Sequence, residues 1–237
     1  MERQIIKGIA FVFLCYSLIN AAFAQSTAPS NSQDPYESLN RPIFYFNDAL
    51  DQVILKPVAM LYNKVMPKPL NTGVHNFFNN IQNLPTIVND VLQIRPQQTA
   101  SDTWRLAINT TVGIGGLFDI ATYMGLKQSY NDFGLTLARI GMVNSSYIVV
   151  PFFGPGTIRD AVGWPIDYFL FSIYPRIHPL SAQYSLYALG VIDWRAHYLK
   201  YNEIIEEAAI DKYAFVRSAY LQRRAYLIEQ QKQGFNE

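Results

Sequence analysis

The chain has 237 residues, 50% of them hydrophobic and 14% aromatic against only 16% charged, where soluble domains usually carry about 25% charged residues. Such a composition excludes an intrinsically disordered chain. The formal net charge is +1, and a near-neutral chain without clustered cations argues against nucleic acid as a partner, because that binding needs lysines and arginines to displace counterions.

Met1 to Gly8 carries Arg3 and Lys7, Ile9 to Ile19 is a mostly apolar run, and Ala22-Phe23-Ala24 places small residues where a signal peptidase reads. Residues 1–24 are therefore expected to be a signal peptide. Removing Glu2, Arg3 and Lys7 from 18 acidic and 19 basic residues leaves the mature chain without net charge. The one cysteine, Cys15, lies inside the apolar run, so no disulfide is expected in the mature form. Bulky Phe13 and Leu14 stand where a lipoprotein signal wants small residues, which argues for simple cleavage rather than a lipid anchor at Cys15. Spanning a bilayer takes ~18 or more consecutive apolar residues. The mature chain offers only short runs such as Tyr147-Ile148-Val149-Val150 and Tyr168-Phe169-Leu170-Phe171.

Gln25 to Gln33 is polar and without periodicity, a tether ahead of a single domain over residues 34–237. Ile43, Phe46, Leu50 and Val53 fall at helical spacing, with Asn47, Asp48, Asp51 and Gln52 opposite. Lys56-Pro57 opens a second helix that ends at Met66-Pro67. Val74, Phe77, Phe78, Ile81 and Leu84 continue the helical period, and after Pro85, a kink or a fresh start, so do Ile87, Val88, Val91 and Leu92. Asparagine is frequent here: Asn71, Asn76, Asn79, Asn80, Asn83 and Asn89 suit caps and turns or polar headgroups.

Helices are expected over 102–112, 119–124 and 133–139, with a turn at Gly113-Ile114-Gly115-Gly116. Tyr147 to Phe153 has strand character and Gly154-Pro155-Gly156 ends it. Trp164 to Pro179 mixes aromatics with prolines and reads as short elements, Leu180 to Leu199 as a helix, and 202–231 as a long C-terminal helix. The class is mainly α: a single domain of short amphipathic helices with at most one hairpin.

His75, His178 and His197 lack partners at metal-ligand spacing, so no metal site is expected. There is no Gly-x-Ser-x-Gly elbow, and Gly113 to Gly116 lacks the features of a dinucleotide loop or P-loop. Asp132-Phe133-Gly134 spells the kinase magnesium triplet without a glycine-rich loop or His-Arg-Asp loop to accompany it. Asp48 with Asp51, or Asp160 with Asp167, offers paired carboxylates for acid/base work, or caps and partners for Arg41, Arg159 and Lys56. No cofactor and no catalytic residue is expected.

Asp34-Pro35-Tyr36-Glu37-Ser38-Leu39-Asn40-Arg41, then Phe44, Phe46-Asn47-Asp48 and Leu55-Lys56-Pro57-Val58-Ala59, resemble the opening signature of the MlaA (VacJ) family of outer-membrane phospholipid-trafficking proteins. The resemblance continues in order through Gly73-Val74, Asn76-Phe77-Phe78, Asn109-Thr110-Thr111, Gly113, Gly116, Asp119, Asp132-Phe133-Gly134 and Thr136-Leu137. It extends over Val150-Pro151, Gly154-Pro155, Thr157, Arg159-Asp160, Tyr213, Arg217, Ala219-Tyr220 and Gln222-Arg223-Arg224.

The resemblance implies a ring of helices in the inner leaflet of the Gram-negative outer membrane around a central amphipathic channel. Misplaced glycerophospholipid would enter from the outer leaflet and leave to a soluble periplasmic carrier, in association with a trimeric porin and without bond-breaking chemistry. It places Phe46, Asn47 and the loop Gly141, Met142, Val143, Asn144, Ser145, Ser146 and Tyr147 near the lipid path. Asn40, Arg41, Lys56, Asn109, Asp119, Arg159 and Asp160 would hold the structure together. Arg217, Tyr220, Arg223 and Arg224 would dock the carrier or close the domain. Aromatics such as Trp164, Tyr168, Tyr174 and Tyr184 suit a headgroup boundary. The chain departs from the family's Gly-x-Gly-x-Gly-Pro-Tyr loop, keeping only Gly141 and Tyr147, and non-glycine residues narrow the accessible backbone. Readings of other classes are a membrane-associated phospholipid hydrolase and a structural scaffold for porins.

Overall fold

Pro57, Pro69 and Pro96 each stand in the first turn of a helix in the computed structural model, where an absent N–H costs nothing and a fixed φ suits helical geometry. The structure describes residues 34–202 and 209–233; the expected signal peptide, the tether and Cys15 lie outside them. In chain order the elements are α1 (Glu37–Leu50), a π-helical stretch (Asp51–Leu55), α2 (Lys56–Val65), α3 (Lys68–Leu92), α4 (Pro96–Thr111) and α5 (Ile120–Tyr123). There follow α6 (Phe133–Arg139), β1 (Tyr147–Val150), β2 (Gly154–Thr157), α7 (Ile158–Ile166), short π and 3-10 segments, α8 (Leu180–Tyr198) and α9 (Lys212–Gln233). The fold is mainly helical, with one antiparallel hairpin that pairs Tyr147 with Thr157 and Val150 with Gly154.

The helix expected over 102–112 begins earlier, at Pro96. Gln97, Gln98 and Thr99 carry no apolar period, so the proline was the one start signal available. The C-terminal helix expected from 202 begins, in its described part, at Lys212, and residues 209–211 are not helical. Pro85 neither ends α3 nor starts a new helix, and α3 runs through it.

Within the span read as one domain, the chain divides into two compact units, each assembled from separated stretches of sequence. In the described chain, the first holds residues 34–47, 133–170 and 213–233. Its apolar centre is Phe44, Tyr147, Val149 and Tyr213, flanked by Ile43, Val216, Tyr220 and Leu221. α6 and α7 approach so closely that a Cβ on Gly163 would lie 2.7 Å from Gly134 N, which is why a glycine is needed there.

The second unit holds residues 48–132, 171–202 and 209–212. Here α3 packs along α4, and α8 packs on α2 and α3. Polar bonds pin those contacts: Asn63 Nδ2 donates to Ala196 O at 3.0 Å, and Asp193 accepts from Tyr62 Oη at 3.1 Å and lies 2.9 Å from His75 Nδ1. Burial, with His75 and Lys200 adding to it, pushes His197 below the ordinary imidazole range against the pull of Asp193. Asp51 pairs with Arg195 at 2.6 Å and Asp48 with Lys212 at 2.5 Å, so both members of that acid pair serve as ion-pair partners.

Candidate functional site

In the first unit, α1 aligns two asparagines toward the hairpin. Asn40 is buried; its Oδ1 accepts from Val149 N at 2.9 Å and its Nδ2 donates to Tyr147 O at 3.2 Å and to Asp34 Oδ1 at 2.9 Å. Asn47 Nδ2 donates to Val150 O at 3.0 Å and its Oδ1 accepts from Phe152 N at 2.8 Å. Each carboxamide thus behaves as a short piece of a neighbouring strand, satisfying backbone groups that the hairpin leaves open. Asn47, expected at the lipid path, spends both polar atoms on this hairpin. Phe46 stays half exposed, with its ring edge-on to Phe152 at 5.6 Å. Phe152 is itself exposed and has a positive φ of 68°, a backbone region that bulky residues rarely occupy.

The loop from Gly141 to Ser146 is tied from behind. Arg159 is buried, and its Nη1 donates to Met142 O at 2.8 Å and Val143 O at 2.9 Å, while Arg159 N donates to Ser145 Oγ at 3.0 Å. Ser146 O accepts from Ile158 N at 3.1 Å. Gly141 retains a positive φ of 117°, and Tyr147 is fully buried with a hydroxyl that has no hydrogen-bond partner. Where glycines would leave such a loop flexible, the guanidinium and the serine hydroxyl hold this one against α7. Arg159 thus ties the loop backbone to the start of α7.

Two buried aspartates organise the rest of this unit. Asp160 closes a capping box with Thr157 at the start of α7; it also accepts from Tyr220 Oη at 2.6 Å and from Arg224. Asp34 accepts from Tyr213 Oη at 2.5 Å and from Arg217 at 2.8 Å. Burial, followed by the Asp34 hydrogen bond and charge, raises the Tyr213 hydroxyl above its ordinary range. Arg41 pairs with Glu37 at 2.7 Å and lies 4.6 Å over the Tyr213 ring. Of the four residues expected to dock a carrier, Arg217, Tyr220 and Arg224 bond to the buried carboxylates of this unit, and Arg223 lies at an exposed position of α9.

The second unit carries a different constellation. Asp119 caps α5 through Thr122 N at 3.2 Å, accepts from Asn109 Nδ2 at 3.0 Å and pairs with Arg105 at 3.1 Å. Burial alone would raise this carboxyl, but the Thr122 and Asn109 hydrogen bonds and the Arg105 charge outweigh it and hold the group low. Asn109 Oδ1 accepts from Ala121 N at 2.9 Å, so one asparagine bridges α4 and α5. Lys56 lies half-buried at the first position of α2. Asn76, Asn79, Asn80 and Asn83 of α3 line a polar cleft with Arg105, Asn109, Asp119 and Gln128. Trp164, by contrast, stacks on Phe153 in the first unit at 5.9 Å, and Tyr174 meets Tyr187 edge-on in the second.

Among the described residues no group of three or more His, Cys, Asp or Glu could hold a metal ion, and no helix is long and apolar enough to cross a membrane. Sequence reasoning passed over Asp34 as a hub, Arg105, and the buried Asp90, Asp102 and Asn131. The available signal for α9 was a repeat: Tyr213 with Arg217, then Tyr220 with Arg224, two i,i+4 pairs two turns apart on one face.

The family model described as MlaA lipoprotein matches residues 32–227. An uncharacterised protein of Rickettsia bellii is 36% identical over 84% of this chain and 78% of its own length. The intermembrane phospholipid transport system lipoprotein MlaA of Escherichia coli K12 is 31% identical over 89% of this chain and 84% of its own length. A solved structure reported under "Structural basis for maintenance of bacterial outer membrane lipid asymmetry" superposes with a TM-score of 0.71 at 30% identity, covering 83% of this chain and 99% of that one. On the breadth of that match, the chain belongs to the MlaA lipoprotein family.

Proposed function

We propose that this protein is a non-enzymatic component of intermembrane phospholipid transport that helps maintain outer-membrane lipid asymmetry. It takes misplaced glycerophospholipid from the outer leaflet and passes it through an amphipathic conduit to a soluble periplasmic carrier. It works from the inner leaflet of the outer membrane beside a trimeric porin. The observation that carries this reading is the match of nearly the whole described chain to the phospholipid-transport lipoprotein and to the lipid-asymmetry structure.

The surface chemistry supports it. Val58, Met60, Leu61 and Val65 of α2 are exposed, as are Leu39 and Tyr45 of α1. Such apolar area on helices too short to span suits seating in the plane of a leaflet. The buried Asp34 and Asp160 and the half-buried Asp119 serve as caps and ion-pair partners, which is what a protein without acid/base chemistry requires of them.

Purification of the mature chain in detergent tests the reading. Glycerophospholipid is expected to co-purify, and incubation is expected to release neither fatty acid nor lysophospholipid. Cleavage that one carboxylate-to-alanine substitution abolishes would replace transport with hydrolysis.

A further inference from the structure

On helix α3, Asn76, Asn80 and Asn83 follow at i, i+4 and i+7, which places them on one face. Each spends its NH2 group on a neighbour: Asn76 Nδ2 donates to Leu117 O at 3.2 Å, Asn80 Nδ2 to Thr110 Oγ1 at 3.0 Å and Asn83 Nδ2 to Asp102 O at 2.7 Å. Backbone carbonyls only accept, so these bonds fix the amide orientations of Asn76 and Asn83 and leave Oδ1 as the remaining group. Asn83 is 6% exposed and its Oδ1 has no donor. All three line one cleft together with Asn79 and Gln128.

The cleft volume is about 10 Å³, the space of one water-sized group. Its charged lining is already neutralised, since Arg105 pairs with Asp119 at 3.1 Å and also donates to Thr122 Oγ1 at 3.0 Å. What Asn76 and Asn83 then present is neutral acceptor oxygen, in a space too small for a phosphate. A buried acceptor without a donor is costly, so a group rich in N–H donors is the complementary occupant. A primary ammonium is water-sized and carries three donors.

We propose that the Asn76-Asn80-Asn83 cleft binds a primary ammonium group, the tip of an ethanolamine headgroup, with the phosphate remaining outside. The proposal deepens the lipid-transport reading and rests on it for the lipid source of the amine. Free ethanolamine offers the same chemistry from solution.

The test uses the mature chain and vesicles of phosphatidylglycerol carrying phosphatidylethanolamine, its monomethyl or dimethyl derivative, or phosphatidylcholine, with lipid capture measured after each. N-methylation removes donors one at a time while keeping the positive charge. Capture is expected to fall roughly threefold for each N–H removed, the effect of one lost hydrogen bond. Asn83→Leu is expected to flatten the series, and Asn76→Ala, at a half-buried position, does so partially with less risk to folding. Equal capture of all four lipids by the unmodified chain, or a series unchanged in Asn76→Ala, overturns the ammonium site and leaves transport standing. No capture of any lipid overturns the transport reading itself. Calorimetry with ethanolamine alone separates the sources: binding as strong as that of the lipid assigns the cleft to the free amine and overturns the lipid assignment, whereas weak binding supports the headgroup.

Discussion

Tyr220 donates its hydroxyl to Asp160 at 2.6 Å, and two helical turns earlier Tyr213 makes the corresponding bond to Asp34 at 2.5 Å. Arg224 and Arg217 complete the two sites from the same helix. α9 is fastened to its unit at two buried carboxylates, which determines what its arginines are available to do.

Arg224→Ala removes one of the two guanidiniums beside the buried Asp160, the other being Arg159 with its Nε at 3.8 Å, and is expected to cost about 2 kcal/mol. Arg223→Ala, at an exposed position, is expected to cost less stability than Arg224→Ala, because exposed pairs contribute little. If the C-terminal helix docks the carrier, lipid hand-over falls in Arg223→Ala by more than in Arg224→Ala despite the smaller loss of stability. Chemical denaturation and a transfer assay to the carrier read the two effects separately.

Asn40→Ala exposes a different dependence. It strands Val149 N and Tyr147 O, both bonded by that carboxamide in a buried setting, and is expected to destabilise by about 2 to 3 kcal/mol. Asn47→Ala removes the bonds at the exposed turn and is expected to cost about 1 kcal/mol. Hydrogen exchange is expected to rise at Val149 in the first variant and at Phe152 in the second.

Asp90 gives the second unit a pH dependence. It is fully buried, accepts from Asn131 at 2.8 Å and pairs with Arg95 at 2.9 Å, and the like charge of the buried Asp102 acts on it. Gln98 and Ser129 in turn donate to Asp102 Oδ2. Burial, reinforced by Asp102 and opposed by Asn131 and Arg95, pushes Asp90 up to about 6 from 3.8. The folded chain therefore holds this proton more tightly than the unfolded chain. That stabilisation is complete below about pH 4 and is lost as pH rises through about 6, an amount on the order of 3 kcal/mol. Asp90→Asn is expected to flatten the slope in denaturation midpoints measured across that window.

The turn after α4 separates conformational from steric demands on glycine. Gly115 has φ +69° and open space where a Cβ would point, whereas at Gly116, φ +94°, a Cβ would lie 2.7 Å from Asn80 Cβ. Gly115→Ala is expected to cost about 1 kcal/mol from backbone strain alone. Gly116→Ala adds a clash and is expected to cost at least about 2 kcal/mol, with displacement of Asn80 visible in the amide spectrum.

Helix starts were legible at Lys56-Pro57 and Phe133, where an apolar period followed, but not at Pro96, where a proline stood without one; the hairpin's first strand was legible from Tyr147 to Val150. The long-range polar bonds were not. Asn40 meets Val149 and Asp34 meets Tyr213 across more than a hundred residues, and no local period encodes such a pairing. The resemblance placed Asn47 near the lipid path, and its hydrogen bonds to the hairpin, made across more than a hundred residues, have no local signature in the sequence. The asparagines of α3 resolve differently. Their NH2 groups serve carbonyls and a hydroxyl on other elements rather than caps of their own helix, and the residues line a cleft that sequence spacing alone could not enclose.

The most direct test of the transport account is the amount of phospholipid in the outer leaflet of cells lacking this protein, measured together with lysophospholipid. The account predicts that surface phospholipid rises, lysophospholipid does not change, and the full-length chain restores the original level. Unchanged surface phospholipid in the deletion strain, or a fall in lysophospholipid that the chain restores, would contradict it.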